Sequence, residues 1–416
     1  MQLNSLCDST TKREQTADDA LTPLELEILT LIFQPVSLRY RKVFTQEGAK
    51  MASGGEEKAT TKKRHNESKR PRPEAKAILR GHVTPVTSVC FHPHEEHAHV
   101  LFTGDESGSL RVWDSRFEET LQVFTAPERL GASPVQGVAQ HVAHINEVLV
   151  QYKNGFVLRL NVEYKKNVSE FDAVYIGGFK TVNAGQRFLQ HEDGAVLCDG
   201  FCRICYVDAN TWVGACGDGD ECIIIRDERA AGGGSGVVGR LKLAPTATGE
   251  KGGMVMAVCA AGGMDVLGGY EDGSVAVWDL RNRRTARSRV KVGADAVTSV
   301  ACSPRGRVGV AGGAYDHIAA VADLSGDTIA AVAKGSLRVS GISEVKWRAD
   351  GKVVASGGWD GVVRIWDGRR RQDALLRRIA SLRWHEGSVL SVGYSSDSKL
   401  LASGGKDCTV ALWEDV

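Results

Sequence analysis

The sequence predicts an all-β chain of seven repeated four-stranded units closed into a propeller, and three observations carry that expectation. LFTGDESGSLRVWD (Leu101 to Asp114), LGGYEDGSVAVWD (Leu267 to Asp279), VASGGWDGVVRIWD (Val354 to Asp367) and LASGGKDCTVALWE (Leu401 to Glu414) share one order of parts. Each has an apolar strand start, a small-residue pair, a turn with an acidic residue, and alternating apolar residues ending in Trp-Asp or Trp-Glu. The turn acid lies six residues before the Trp in Asp272 to Trp278, Asp360 to Trp366 and Asp407 to Trp413. Finally, the repeat ends fall near 114, 161, 227, 279, 323, 367 and 414, with most intervals in the range of 44 to 52 residues, the period of stacked propeller units.

The weaker copies are found by holding that frame. Asp220 precedes Arg226 by six residues, Asp316 precedes Ala322, and Asn154 precedes Leu160. The first copy keeps Trp113 but places Ser107 at the acid position, so it reads as lacking the acid. The long interval from 161 to 227 implies an insertion or irregular strands in units 2 and 3. A buried turn carboxylate must be hydrogen-bonded, which predicts a network of turn acid, a His opening the unit, a strand Ser and the Trp indole. The expected set is His385, Ser391, Asp407 and Trp413 in unit 7, with His82, Ser88 and Trp113 in unit 1; units 4 and 6 keep Asp272 with Trp278 and Asp360 with Trp366 but have no Gly-His start.

Closure is also legible. The last unit shows three strands, while Ala77 to Leu79 form a short apolar segment with no unit of its own, so the expectation is that this segment completes unit 7 and removes an unpaired edge. Residues 73–416 are thus expected to form the propeller and residues 1–72 a disordered or partly helical basic extension. Leu24 to Phe33 is its one helix-permitting apolar stretch, and Met51 opens MASGGEEKATTKKRH, which reads like an ordinary flexible protein start.

With 42% hydrophobic residues, 47 glycines and no apolar run near the ~20 residues of a membrane span, the composition predicts a soluble intracellular protein. Net charge is +1, yet Lys58 to Arg80 alone carries +7, leaving −6 elsewhere, which argues against the body as a nucleic-acid platform. The basic clusters Lys62, Lys63, Arg64 and Lys69, Arg70, Arg72 read as a nuclear-import signal or as a solvated linker, and the expected location is nucleus and cytoplasm. Cys198, Cys202 and Cys205 have a spacing that can bind metal, but they lie between apolar strand residues and read as buried thiols, with zinc the alternative. The Gly-rich run Ala230 to Gly239 lacks the Lys-Ser/Thr of a phosphate loop, and no nucleophile elbow or metal-ligand pair is present, so neither an enzyme nor a cofactor is expected.

The Trp-Asp repeats resemble those of WD-repeat proteins. Within that group Gly269-Tyr270-Glu271-Asp272-Gly273-Ser274-Val275, Gly341-Ile342-Ser343-Glu344-Val345, Gly358-Trp359-Asp360 and Gly200-Phe201-Cys202-Arg203 resemble the ASTRA-associated protein 1 family, also called G-protein β-subunit-like protein 1. The resemblance covers about residues 77–416 in repeat layout, is weak in units 2 and 3, and leaves the basic extension outside. It implies a non-enzymatic scaffold among kinase co-chaperone or ASTRA-type subunits, acting in maturation of phosphatidylinositol-3-kinase-like kinases and in chromatin regulation, without direct nucleic-acid or membrane contact. A true heterotrimeric β subunit would need a longer N-terminal coiled-coil helix than Leu24 to Phe33. The alternative is a cullin-RING ubiquitin-ligase receptor, because Trp113-Asp114-Ser115-Arg116, Trp278-Asp279-Leu280-Arg281 and Trp366-Asp367-Gly368-Arg369 are WDxR boxes. Glu271, Tyr315, Trp359 and Lys406 each precede the turn acid and are expected at the channel rim as partner contacts.

Overall fold

In a computed structural model, residues 73–125, 133–141, 144–162, 173–175, 201–216, 221–230, 236–246, 249, 251–369 and 376–416 are described. The expectations for residues 1–72, including Lys62, Lys63, Arg64, Lys69, Arg70 and Arg72, and those for Cys198 and Asp220, fall outside these residues.

The described residues form seven four-stranded antiparallel sheets. β1 (Ala77–Arg80) stands apart from the blade that follows it. Blade 1 is β2 (Val86–Phe91), β3 (Val100–Asp105), β4 (Leu110–Asp114) and β5 (Glu119–Phe124). Blade 2 is β6 (Val135–Gln140), β7 (Glu147–Tyr152), β8 (Val157–Val162) and β9 (Ala173–Tyr175). Blade 3 is β10 (Cys205–Tyr206), β11 (Thr211–Ala215), β12 (Cys222–Asp227) and β13 (Val237–Lys242). Blade 4 is β14 (Val255–Ala260), β15 (Asp265–Tyr270), β16 (Ser274–Asp279) and β17 (Ser288–Lys291). Blade 5 is β18 (Ser299–Cys302), β19 (Val308–Gly312), β20 (His317–Ala322) and β21 (Ala330–Ser336). Blade 6 is β22 (Ile342–Trp347), β23 (Val353–Gly358), β24 (Val362–Asp367) and β25 (Arg378–Arg383). Blade 7 is β26 (Val389–Tyr394), β27 (Leu400–Gly405) and β28 (Thr409–Glu414), completed by β1. The pairing runs Ala77 to Leu412 through Arg80 to Thr409, so the N-terminal segment closes the ring as expected.

Burial explains the strand sequences. Each blade packs face to face on two neighbours, so its second and third strands are covered on both sides and read as nearly continuous apolar runs; every residue of β3, β23 and β24 is buried. The fourth strands form the outer edge, where β5 and β21 are mostly exposed or half-buried. The core is divided into seven apolar clusters, one per seam between adjacent blades. Each repeat Trp sits in the seam with the preceding blade: Trp113 against blade 7, Trp278 against blade 3, Trp366 against blade 5 and Trp413 against blade 6. The small-residue pair has the same origin. A Cβ at Gly104 would lie 2.3 Å from Val135 of blade 2, and one at Gly404 2.7 Å from Val86 of blade 1, so only glycine lets the next inner strand approach.

In blades 1, 2, 4, 6 and 7 the turn between the second and third strands uses a left-handed residue. Gly108, Gly155, Gly273 and Gly361 supply it at φ of 87°, 87°, 85° and 74°, but blade 7 uses Cys408 at 64°. For an L-residue that conformation costs roughly 1–2 kcal/mol. Cys408→Gly is therefore expected to stabilise the protein by about 0.5–1 kcal/mol after the entropic cost of glycine. Urea unfolding checks this, and an unchanged or lower midpoint would show that the turn carries no such strain.

Candidate protein-interaction face

The hydrogen-bond network inside the blades differs from the expected one in two ways. In blade 7, His385 Nδ1 meets Asp407 at 3.0 and 3.1 Å, and its Nε2 lies 2.8 Å from Ser403 Oγ, which also accepts the Trp413 indole N–H at 3.0 Å. The shared hydroxyl is Ser403, on the strand beside Trp413, and Ser391 is not a member. Blade 1 has the same chain complete: His82 reaches Asp105 at 2.7 Å and Thr103 Oγ1 at 2.7 Å, and Thr103 accepts the Trp113 indole at 2.7 Å. The acid that appeared to be missing is Asp105, eight residues before Trp113 rather than six. Ser107, at the expected acid position, instead donates to Asp105 at 2.6 Å. Burial would raise the Asp105 carboxyl, but His82, Ser107 and Ser109 hold it below the usual carboxylate range.

Blades 4 and 6, which lack the initial His, meet the same demand with arginine, whereas in blade 5 the turn acid Asp316 is exposed and meets the adjacent His317 at 2.9 Å. Arg364 pairs with Asp360 in blade 6, where Trp366 donates to Ser356 at 2.8 Å. In blade 4 Arg289 pairs with Asp272, and Trp278 donates to Tyr270 Oη at 2.9 Å. These neighbouring cations were not legible from the turn spacing because they sit on β24 and β17, outside the Gly-His position.

Ser88 and Ser391 link blades rather than serving their own. Ser88 Oγ accepts the Val138 N–H of blade 2 at 3.0 Å, and Ser391 Oγ accepts the Val89 N–H of blade 1 at 2.9 Å. Ser299 does the same for Val345 at 3.0 Å, while in blade 6 Glu344 takes this place, accepting from Val392 N at 2.9 Å and Ser391 Oγ at 2.5 Å. Arg203, in the segment leading into β10, lies across these inner strands. It donates to Gln136 O at 3.1 Å, Thr87 O at 2.8 Å and Leu390 O at 3.1 Å, and pairs with Glu344 at 2.5 Å, touching blades 2, 1, 7 and 6 from blade 3. Lys346 adds a second contact to Glu344 at 3.3 Å. Burial would raise the Glu344 carboxyl, but Arg203 and Lys346 outweigh it and bring the value to about 2.

The antiparallel order places two sets of loops at one end of the ring: the turns between second and third strands, and the connections from each outer strand to the next inner strand. The turn residues Glu271, Tyr315, Trp359 and Lys406 share a pattern, each lying over a glycine of the preceding connection: Gly253, Gly293, Gly341 and Gly387. Glu271 and Lys406 are exposed, and Trp359 is half-buried against Gly341. Tyr315 is only 5% exposed and belongs to the seam between blades 4 and 5, which corrects its expected position at an open rim. Its ring is large enough to cover Gly293 and Gly313 and is drawn in by apolar burial.

Sequence reasoning missed the exposed apolar residues of the connections. Val83 (83% exposed), Phe201 (60%), Met254 (50%), Val339 (52%) and Trp384 (43%) lie in five different connections at this one end. Trp359 belongs to the same face through the Ser388 hydroxyl, which donates to the Trp359 carbonyl at 2.8 Å. Among the described residues the opposite end presents Phe117, and Val123, Val332 and Ile379 lie on outer strands. The signal was a large apolar residue beside the inner-strand start, such as Trp384 before His385.

The WDxR boxes close on themselves. Arg116 grips Asp114 through Nε at 3.0 Å and Nη2 at 2.6 Å, and Arg281 with Asp279 and Arg369 with Asp367 repeat the fork. Arg229 does so with Asp227 where no Trp precedes the Asp, so the spacing serves the turn itself.

Removing the Arg203 charge tests the inner-strand contacts. Arg203→Met is expected to cost about 3 kcal/mol near neutral pH, as for breaking a largely buried ion pair. Because the folded-state value of Glu344 is depressed from 4.5 to about 2, its contribution is present above 4.5 and is lost as pH falls toward 2. The stability gap between variant and parent should therefore close over that window in urea titrations. A gap independent of pH would contradict the pairing.

Comparison with known proteins places this geometry. A family model described as "WD domain, G-beta repeat" matches residues 74–114, 332–367 and 376–414. A mouse protein, "Guanine nucleotide-binding protein subunit beta-like protein 1", is 31% identical over 130 residues, 31% of this chain and 38% of the relative. "ASTRA-associated protein 1" of Verticillium alfalfae is 36% identical over 55 residues, 13% of this chain and 12% of its own length. Both matches thus span well under half of the curated relatives. A chain in the structure titled "Crystal Structure of Mitotic Checkpoint Complex" superposes with a TM-score of 0.60 over 88% of this chain and 99% of its own, at 15% identity, which speaks to the fold alone. With WD repeats matched in blades 1, 6 and 7, under half of the chain, the seven closed blades of the described residues form a β-propeller that carries WD repeats.

Proposed function

We propose that this propeller is a protein-interaction scaffold within a multi-subunit assembly of the ASTRA or kinase co-chaperone type. The observation that carries the scaffold reading is the gathering of Val83, Phe201, Met254, Val339 and Trp384 on one end of the ring, beside Trp359. Large apolar side chains held in water on separate loops cost free energy unless a partner covers them, and aromatic anchors of this kind dominate interface energetics. WD propellers generally mediate protein contacts, and the matches to ASTRA-associated and G-protein β-like proteins support the narrower assignment to such complexes, with roles in maturation of phosphatidylinositol-3-kinase-like kinases and in chromatin regulation. Presence in the nucleus as well as the cytoplasm rests on the basic clusters from Lys62 to Arg72.

One capture experiment tests each part. The full chain, tagged, is recovered from nuclear and cytoplasmic fractions beside three variants: Trp384→Ala with Phe201→Ala, Trp359→Ala, and alanine at Lys62, Lys63, Arg64, Lys69, Arg70 and Arg72. Kinase co-chaperones or ASTRA subunits should be recovered with the parent and weakened at least about 30-fold by loss of central anchors, the equivalent of ~2 kcal/mol. The basic-cluster variant should bind normally but vanish from the nuclear fraction. Recovery of a cullin adaptor instead would favour the ligase-receptor alternative, and undiminished capture by the aromatic variants would move the interface to the blade rims.

A further inference from the structure

We propose that Cys259 and Cys302 form a peroxide-sensitive modification site, a dithiol that closes to a disulfide and joins the inner strands of blades 4 and 5. The two sulfurs lie 3.2 Å apart, one on β14 and one on β18, and both side chains pack on the apolar cluster of that seam. Both residues are half-buried, so the site excludes a protein thiol, and a small oxidant would have to enter along the seam. A disulfide requires about 2.05 Å between sulfurs, so closure asks for a sulfur movement of roughly 1.2 Å. That is within reach of side-chain rotation and small strand adjustments.

The surroundings favour a pair over independent cysteines. Cys205, on β10 of blade 3, also lines the inner strands, but its sulfur is engaged by the Ala260 N–H at 3.4 Å. Burial pushes the Cys205 thiol up to about 11. The hydrogen bond with Cys302, then burial, raises the Cys259 thiol as well, so at neutral pH Cys259 is a protonated thiol that reacts slowly. Lys346 works against that rise at Cys259.

With hydrogen peroxide as the oxidant the step balances. One thiolate attacks a peroxide oxygen, forming a sulfenic acid and, with a proton, releasing one water. The partner thiol attacks that sulfur, the S–S bond forms, and the hydroxyl leaves with the partner's proton as a second water. The two thiols lose two electrons in total and the peroxide gains them.

The test treats the full chain with hydrogen peroxide and maps non-reduced peptides by mass spectrometry. The expected product is an intrachain peptide pair joining Cys259 to Cys302, two hydrogens lighter than the reduced pair and reversed by dithiothreitol. Its rate should rise with pH, because the thiolate is the attacking species. Oxidised protein should melt at a higher temperature than reduced protein, because the link lies across a seam. Cys302→Ser, or Cys302→Ala if the first misfolds, should abolish the link and leave Cys259 as a sulfenic acid trapped by dimedone. Recovery of both thiols unchanged, a bond to Cys205 instead, a bond between two chains, or over-oxidation of either sulfur without a link would overturn the proposal; the peptide map of the parent chain decides this without any variant.

Discussion

No blade of this protein has a core of its own, and that constraint governs the rest of the structure. Each of the seven apolar clusters is built from two neighbouring blades, so every sheet is stable only between two others. A linear stack would leave two apolar faces in water; a ring leaves none. The last seam is therefore the one on which the others rely, and it is made by a strand from the other end of the domain. β1 contributes Ala77 and Leu79 to the cluster that also holds Trp113, Val86 and Leu412.

Polar contacts follow the same geometry at two radii. Within a blade, a carboxylate in the turn, a hydroxyl and the Trp indole are joined by His82 or His385 where the unit begins with Gly-His. In blades 6 and 4, which do not, Arg364 or Arg289 meets the acid and the indole finds another partner. Between blades, Ser88, Ser299, Glu344 and Ser391 accept inner-strand N–H groups from the next blade. Arg203 ties this circle across its opening, which a strictly neighbour-to-neighbour repeat would lack.

The repeat, the count of seven and the closing strand were legible because burial on both faces forces the same apolar and small residues at the same places. Asp105 escaped the spacing rule because it stands two residues earlier in a turn of the same length, at the end of β3, where blade 4 has Tyr270 and blade 7 Gly405; Ser107 holds the six-residue position and turns inward to donate to the acid rather than replace it. Ser391 was assigned to the wrong network because a strand serine can serve its own Trp or the adjacent blade, and only register decides; Ser403, paired with Ala411 two residues before Trp413, is the one in reach of the indole. Tyr315 stood at an exposed position in the motif but folds back over two glycines, which a single-sequence reading of the turn does not reveal. The exposed apolar face was missed because it lies in the connections, whose lengths and sequences do not repeat. Repetition records what the blades need from one another, and the connections carry what is left for a partner.

Deleting β1 tests this dependence most directly. In a chain beginning at residue 81, hydrogen exchange should show β28 and β2 losing amide protection together, since both face the seam that β1 completes, and a peptide spanning residues 73–82 added in trans should restore both. Unchanged protection in β28 and β2 after the deletion would contradict the claim that ring closure holds the blades.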